Sequence, residues 1–466
     1  MSELISQKLD PLSKKTKIAY SFGYLGTVLA TWTFSTYIFF FYASVIGLDP
    51  IWIGIALGIL GIWDMFNDPI MGHISDKTNT RWGRRRPYMI FGTIPLAISF
   101  ILLWWNPFED WFMIFIYFLI IMLIFEWLYT MVQLSYRALY PEMTIDINER
   151  LEIAGYLEFF DIIALILGYV LSLIIVGIFR GAGYSPAMAW LLMATILGVI
   201  MVISIFTATA VTKEKEIFYK EQALGLIEAL KFTWKNKAFR VVAVAWLCIS
   251  IAYVIGSATA IFFTIYILEM SELETAISLL FIFLTGIPCL LLWYKLSQKI
   301  GTVRATMMAM TLFGISFFIL LFVVNLIMFM IAIAILGIGF AGVILLPQTL
   351  YADVIDEDEI ITGVRREGIY SGIQAFIAKA SVSVSYVTMA IVLQLSNFQS
   401  GATTQPESAL LGIRLLISLI PAGVMLIGIL IYTQYPLKGE RLKKVKEEVI
   451  ELHDKKKKAL EQKLAK

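Results

Sequence analysis

Asp64, Asn67 and Asp68 stand at i, i+3 and i+4 inside an otherwise apolar run. On a helix of 3.6 residues per turn their side chains share one face and can converge on one small ion. Carboxylate and amide oxygens suit a hard cation such as sodium, and a carboxylate alone also takes a proton. An ionised carboxylate at bilayer depth costs about 2.5–3.5 kcal/mol on insertion scales, so a pair of them needs a cation or water to meet it. The bland alternative salt-bridges one aspartate to a neighbouring helix and leaves the other at the interface. Against it, Asp64 falls near mid-span, and no nearby span offers a lysine or arginine at similar depth. The metal chemistry expected of Asp64 and Asp68 is therefore that of a monovalent cation only.

A second polar line follows in the next long apolar run but one. Glu126, Thr130, Gln133 and Arg137 are spaced 4, 3 and 4, a stripe along one helix face that belongs against protein or water rather than lipid. Thr130 can add a hydroxyl oxygen to the ion site, while Gln133 and Arg137 can hydrogen-bond a solute. Interhelical glue is the competing role, above all for Arg137, which can snorkel to the surface. Glu158 and Asp161 place two further acids in the following span; with Glu126 they form a proton-titratable cluster, or Glu158 pairs with Arg137. Gln374 and Lys379 lie in a late span, where an intramembrane lysine needs either a counter-charge across the cavity or a route to the interface. Tyr24, Trp32, Trp127, Tyr129 and Tyr370 can stack on a sugar ring or anchor at the membrane interface.

Charges of both signs also gather in loops: Asp76, Arg81, Arg84, Arg85 and Arg86; Glu142, Glu149 and Arg150; Asp353, Asp356, Arg365, Arg366 and Glu367. Such sets can form ionic latches that break when two halves rock. An exposed pair contributes about 0–1 kcal/mol, so only a network would matter.

The elements that must position these residues follow from composition. Of 466 residues, 59% are apolar and 15% charged, and the mean hydropathy is +0.81, far from soluble domains. Runs of about 20 apolar residues recur about twelve times between positions 19 and 434, which predicts membrane-spanning helices. The spans fall near 19–46, 51–75, 88–107, 111–138, 151–179 and 186–210, then 239–268, 273–297, 304–324, 326–352, 366–396 and 408–434. This is an all-α chain of two six-helix bundles, 1–210 and 239–435. Between them a linker, 211–238, carries a short amphipathic run, and a charged tail, 436–466, follows, read as a solvated or lipid-surface helix. Lys and Arg collect in alternate loops, which by the positive-inside rule puts both termini in the cytoplasm. The short basic turns His73–Pro87 and Tyr294–Arg304 echo each other after the second span of each half, as parallel repeats around a central path would.

Other chemistries have little to work with. His73 and His453 are the only histidines, Cys248 and Cys289 lie in separate spans, and neither HExxH nor GxSxG occurs. No enzyme, no cofactor beyond a coupling Na+ or H+, and no nucleic-acid partner is expected. The first segment is polar and lacks a cleavable signal pattern, so the first span is expected to remain.

The motifs IWDMFNDPIMGHISDKTNTRWGRRRP (Ile62–Pro87), LYPEMTIDINER (Leu139–Arg150) and LYADVIDEDEIITGVRREGIYSGIQAFIAK (Leu350–Lys379) resemble those of the glycoside–pentoside–hexuronide:cation symporters, the melibiose permease-like branch of the major facilitator superfamily. The resemblance implies the major facilitator fold, cation-coupled import of a sugar, glycoside or similar small polar solute, and a multi-pass place in the cell membrane as a monomer among lipids. It implies a cation site at Asp64, Asn67, Asp68 and Thr130, and places Tyr129, Gln374 and Lys379 at or beside the sugar and coupling sites. The sugar positions depart from the family pattern: Val28 and Thr27 stand where an aspartate and a lysine are usual, Gln133 replaces an aspartate, Arg137 a tryptophan and Glu158 an arginine. A different solute is therefore expected, with lipid or lysolipid transport, and a non-transporting sensor, as the alternatives.

Overall fold

The computed structural model describes residues 12–464 except 79, 145, 213–232 and 364. The expected linker helix falls on 213–232, outside the described residues, as do the side chains of Asp76 and Glu142. Among the described residues the fold is all-helical, and 12 segments are long and apolar enough to cross a membrane.

In chain order these are α1 (Lys14–Phe40), extended by a π turn Phe41–Ile46; α2 (Pro50–Lys77); α3 (Arg86–Leu103); α4 (Trp111–Met143); α5 (Ile147–Ile166) and α6 (Ser172–Gly181), joined by a π turn Leu167–Leu171; and α7 (Pro186–Val211). Then follow α8 (Lys237–Tyr266), α9 (Glu272–Ile300), α10 (Thr302–Leu320), α11 (Leu326–Thr362), α12 (Glu367–Leu395), α13 (Glu407–Ile417) with α14 (Leu419–Tyr432), and α15 (Glu440–Leu464). Helix starts carry the residues that cap orphan amides: Asp110 accepts from the N–H groups of Phe112 and Met113, and Asp146 from those of Asn148 and Glu149. The tenth span runs further than hydropathy suggests. No helix breaker follows Pro347 until Gly363, so α11 carries the acidic stretch from Asp353 to Glu359 as helix before ending there.

The chain forms two compact units. Unit 1 comprises Met1–Glu221, Thr264–Ile277 and Tyr386–Leu410, and unit 2 comprises Gln222–Phe263, Ser278–Ser385 and Leu411–Lys466. In unit 1, α1 packs on α7 and α5, α3 on α4 and α7, and α2 on α4. The α1–α7 approach is close because Gly26 has no side chain: a Cβ there would stand 2.8 Å from the Met201 carbonyl oxygen. An aromatic cluster stiffens the same unit, with Trp104 stacked on Trp190 at 5.2 Å and Phe41 against both. Unit 1 also gathers chain from beyond its first 221 residues. Tyr386 donates its hydroxyl to the Ser35 carbonyl at 2.7 Å, and the Gly401 N–H donates to the Ala43 carbonyl at 3.0 Å. In unit 2, α10 packs on α11 and α14, and α15 on α11.

Candidate ion and solute site

The position of the aspartate pair follows from the two faces of α2. Ile55, Ile59, Ile62, Phe66, Ile70 and Ile74 are exposed and form one stripe, the face suited to hydrocarbon. Asp64 and Asp68 lie on the opposite side of the helix and are half-buried, and Asn67 beside them is 1% exposed. Pro69, within α2, has no N–H, so the Met65 carbonyl lacks its usual helical hydrogen bond there.

α4 meets this face through Thr130, which is 3% exposed. The Asn67 amide nitrogen donates to Thr130 Oγ1 at 2.9 Å and to the Glu126 carbonyl at 3.2 Å. Thr130 Oγ1 in turn donates to Asp68 Oδ1 at 3.3 Å. With the amide nitrogen so engaged, Asn67 Oδ1 is buried and accepts no hydrogen bond. A buried acceptor without a donor is costly, and a cation is what such an oxygen can take. The donor set is all oxygen, as a sodium-like ion requires. Among the described residues no group of three or more His, Cys, Asp or Glu side chains could hold a metal ion. The rings of Trp63, on α2, and Trp127, on α4, stand 6.1 Å apart.

The residues expected to meet a solute fall in both units. In unit 1 Tyr129 stacks on Phe125 at 6.0 Å, and Glu126 and Gln133 are half-buried. Arg137 donates to the Tyr24 hydroxyl at 2.8 Å, its guanidinium 5.6 Å from that ring's centroid. That contact holds the guanidinium at tyrosine, and Glu158 is exposed on α5. Asp161 accepts from the Trp32 indole at 3.2 Å. In unit 2 Gln374 and Lys379 are half-buried on α12, and Gln374 reaches Gln348 at 3.5 Å.

The loop charges sort differently from one another. Arg81 stacks over Trp82 at 4.2 Å, Arg84 and Arg366 are half-buried, and Arg150 donates to the Thr144 carbonyl at 2.8 Å. Asp353 pairs with Lys446 of α15 at 3.3 Å, and Glu367 with Arg365 at 2.6 Å. Burial works against the charge on Arg365, but Glu367, Glu359 and Asp356 outweigh it and hold its pKa above the ordinary guanidinium value. Two features are not anticipated from sequence. Lys17, 7% exposed, bridges Glu149 at 3.1 Å and Glu152 at 2.6 Å; the only signal was two acids three apart at the start of α5. The tail is the other: α15 docks on α11 rather than lying free.

Among the described residues, twelve membrane-length helices, with α2 and α4 joined through polar side chains, define a multi-pass membrane protein. The fold is that of the major facilitator superfamily: a crystal structure of the nucleoside transporter NupG superposes with a TM-score of 0.65 over 91% of this chain and 99% of that one, at 12% identity. The sequence profile described as MFS/sugar transport protein matches residues 19–439, and the chain belongs to that family, which includes glycoside–cation symporter homologues. It is similar to a glucuronide carrier protein homolog of Escherichia coli strain K12, 27% identical over 96% of this chain and 97% of the other. It is also similar to the sodium-dependent lysophosphatidylcholine symporter 1 of Gallus gallus, 23% identical over 96% and 90%.

Proposed function

We propose that this protein is a cation-coupled symporter that imports a small polar solute, a sugar or glycoside, by alternating access. The observation that carries the reading is the buried, unfilled acceptor Asn67 Oδ1 at the end of the chain Asn67–Thr130–Asp68. In this reading sodium is held by Asp64, Asn67, Asp68 and Thr130, and its binding neutralises charge that hydrocarbon depth makes expensive. Tyr129, Gln133, Arg137, Glu126 and Glu158 from one bundle, and Gln374 and Lys379 from the other, face the solute. The bundles 1–210 and 239–435 rock about it with both termini in the cytoplasm, and Asp76, Arg81, Arg84, Arg150, Asp353, Arg366 and Glu367 belong to the cytoplasmic ionic network.

The test is uptake of labelled neutral glycosides and glucuronides into proteoliposomes under an imposed inward sodium or proton gradient. Gradient-driven accumulation that Asp68→Asn abolishes is the expected result. Accumulation unaffected by that substitution removes the ion site, and no accumulation of any sugar removes the sugar reading.

A second reading has its own observation. An open groove of about 520 Å³ in unit 1 is lined by Ile18, Leu151, Gly155, Tyr156, Phe159 and Phe160, with Glu152 beside them. Such an apolar groove suits an acyl chain, and the Gallus gallus relative is named for a lysolipid. Sodium-driven uptake of lysophosphatidylcholine with no sugar uptake would favour it.

A further inference from the structure

By composition α15 is a helix for water, yet it is seated. Tyr435 and Leu437, 1% and 0% exposed, anchor the approach, and Gly439 turns the chain at φ 60°, where residues with a side chain are strained. α15 then lays Val445 and Val449, 8% and 7% exposed, into unit 2. Its cations fall on the acidic end of α11. Arg441 stands 2.7 Å from Glu357 and Lys446 3.3 Å from Asp353, while Lys456 and His453 reach Glu359 at 2.7 and 3.1 Å. In each case the acid is the buried partner, with side-chain exposures of 9%, 8% and 2% for Glu357, Asp353 and Glu359. The pairs Lys443–Glu447 and Lys444–Glu448 within α15 are exposed on both sides and carry little. A buried carboxylate stripped of its cation is expensive, so the helix and the acids depend on one another.

The acid most deeply buried is also shared. Arg365, in the turn between α11 and α12, reaches Glu359 at 3.0 Å and Asp356 at 3.0 Å. Tail, turn and the end of α11 therefore meet at one carboxylate.

We propose that α15 is a built-in strap: held to α11 by Arg441 on Glu357, it acts through Glu359, the carboxylate that Lys456 shares with Arg365, to restrain the turn that starts α12, the helix carrying Gln374 and Lys379, and so brakes any movement of that helix's first turns. The restraint is electrostatic in origin. It weakens with salt and with reversal of a tail charge, whatever solute the protein carries.

The test is hydrogen–deuterium exchange, read by mass spectrometry on the full-length protein in lipid nanodiscs, over peptides covering 353–373. Arg441→Glu sets two carboxylates against each other and should speed exchange there about tenfold. Adding Glu357→Arg restores an opposite pair and should bring the rate most of the way back. On the unmodified protein, raising potassium chloride from about 0.05 to about 0.5 M should also speed exchange in these peptides, a reading that needs no variant to fold. Exchange within twofold of the parent in Arg441→Glu and at high salt overturns the strap. So does a charge-swapped protein as fast as the single variant, since the loss would then be of packing and not of charge pairing.

Discussion

At the scale of single residues, the proposed ion site stands or falls on Asn67. Its amide nitrogen is committed to Thr130 and the Glu126 carbonyl, so its oxygen is the atom left to a ligand. Asn67→Ala removes that oxygen and unties Thr130. A hydrogen bond to a charged group is worth about 1.5–3 kcal/mol, so sodium affinity should fall between roughly tenfold and a hundredfold. The measurement is the sodium-dependent rise in melting temperature, with choline chloride as the control; a rise of unchanged midpoint in Asn67→Ala contradicts the assignment. Lys17 makes a separate prediction about stability. Its ammonium neutralises Glu149, whose side chain is 14% exposed and also accepts from the Leu12 N–H and from Thr144. Lys17→Met should destabilise by about 1–3 kcal/mol, and Glu149→Gln in the same chain should recover part of that loss. Equal melting temperatures for parent and single variant would make the pair decorative.

At the scale of elements, helix packing in unit 1 rests on close approach. A Cβ at Gly26 would stand 2.0 Å from Ser204 Oγ and 2.8 Å from the Met201 carbonyl, so backbone must move, whereas one at Gly155 meets nothing within 4 Å. Gly26→Val should therefore cost several-fold in folded yield and lower the melting temperature, while Gly155→Ala should be neutral or stabilising by up to about 1 kcal/mol. Equal tolerance of both would mean that α1 and α7 do not pack as described. Much of this architecture is legible in the sequence, because membrane spans announce themselves by length and apolar composition, and the acids of α2 by their rarity in such a run. The link from Asn67 to Thr130 is half legible: each face shows in its own periodicity, but not which faces meet. The seat of α15 is not legible at all. Alternating Lys and Glu give the same pattern on a helix in water as on one whose cations are spent on Asp353, Glu357 and Glu359, since the partner lies some 80 to 100 positions away. Lys17 is hidden for the same reason: a lysine at the edge of a span reads as an interface residue until Glu149 and Glu152 are brought beside it.

At the scale of the whole molecule, the proposed alternating access predicts that some contacts now made within unit 1 are broken and remade. Unit 1 holds Thr264–Ile277 and Tyr386–Leu410 on its first helices through a small set of polar contacts: Tyr386 to Ser35 at 2.7 Å, Gly401 to Ala43 at 3.0 Å, and Arg180 to Glu272 at 3.7 Å. If those contacts close one end of the transport path, Tyr386→Phe removes about 1 kcal/mol from the closed arrangement and shifts the balance roughly fivefold toward its open counterpart. A cysteine placed at Ser44, in the π turn beside the Gly401 contact, reports that shift as faster maleimide labelling. A labelling rate that Tyr386→Phe leaves unchanged would detach this end from the transport cycle. The same equilibrium is where ion and solute must communicate. A solute that favours one arrangement shifts the cation's affinity only by its own difference in affinity between the two, and the factor is reciprocal, typically 5- to 150-fold. Titrating sodium with and without solute, then solute with and without sodium, must yield one factor from both directions, and Tyr386→Phe should move the two midpoints together. If only one midpoint moves, ion and solute are not reading the same conformational change, and symport through these two units is excluded.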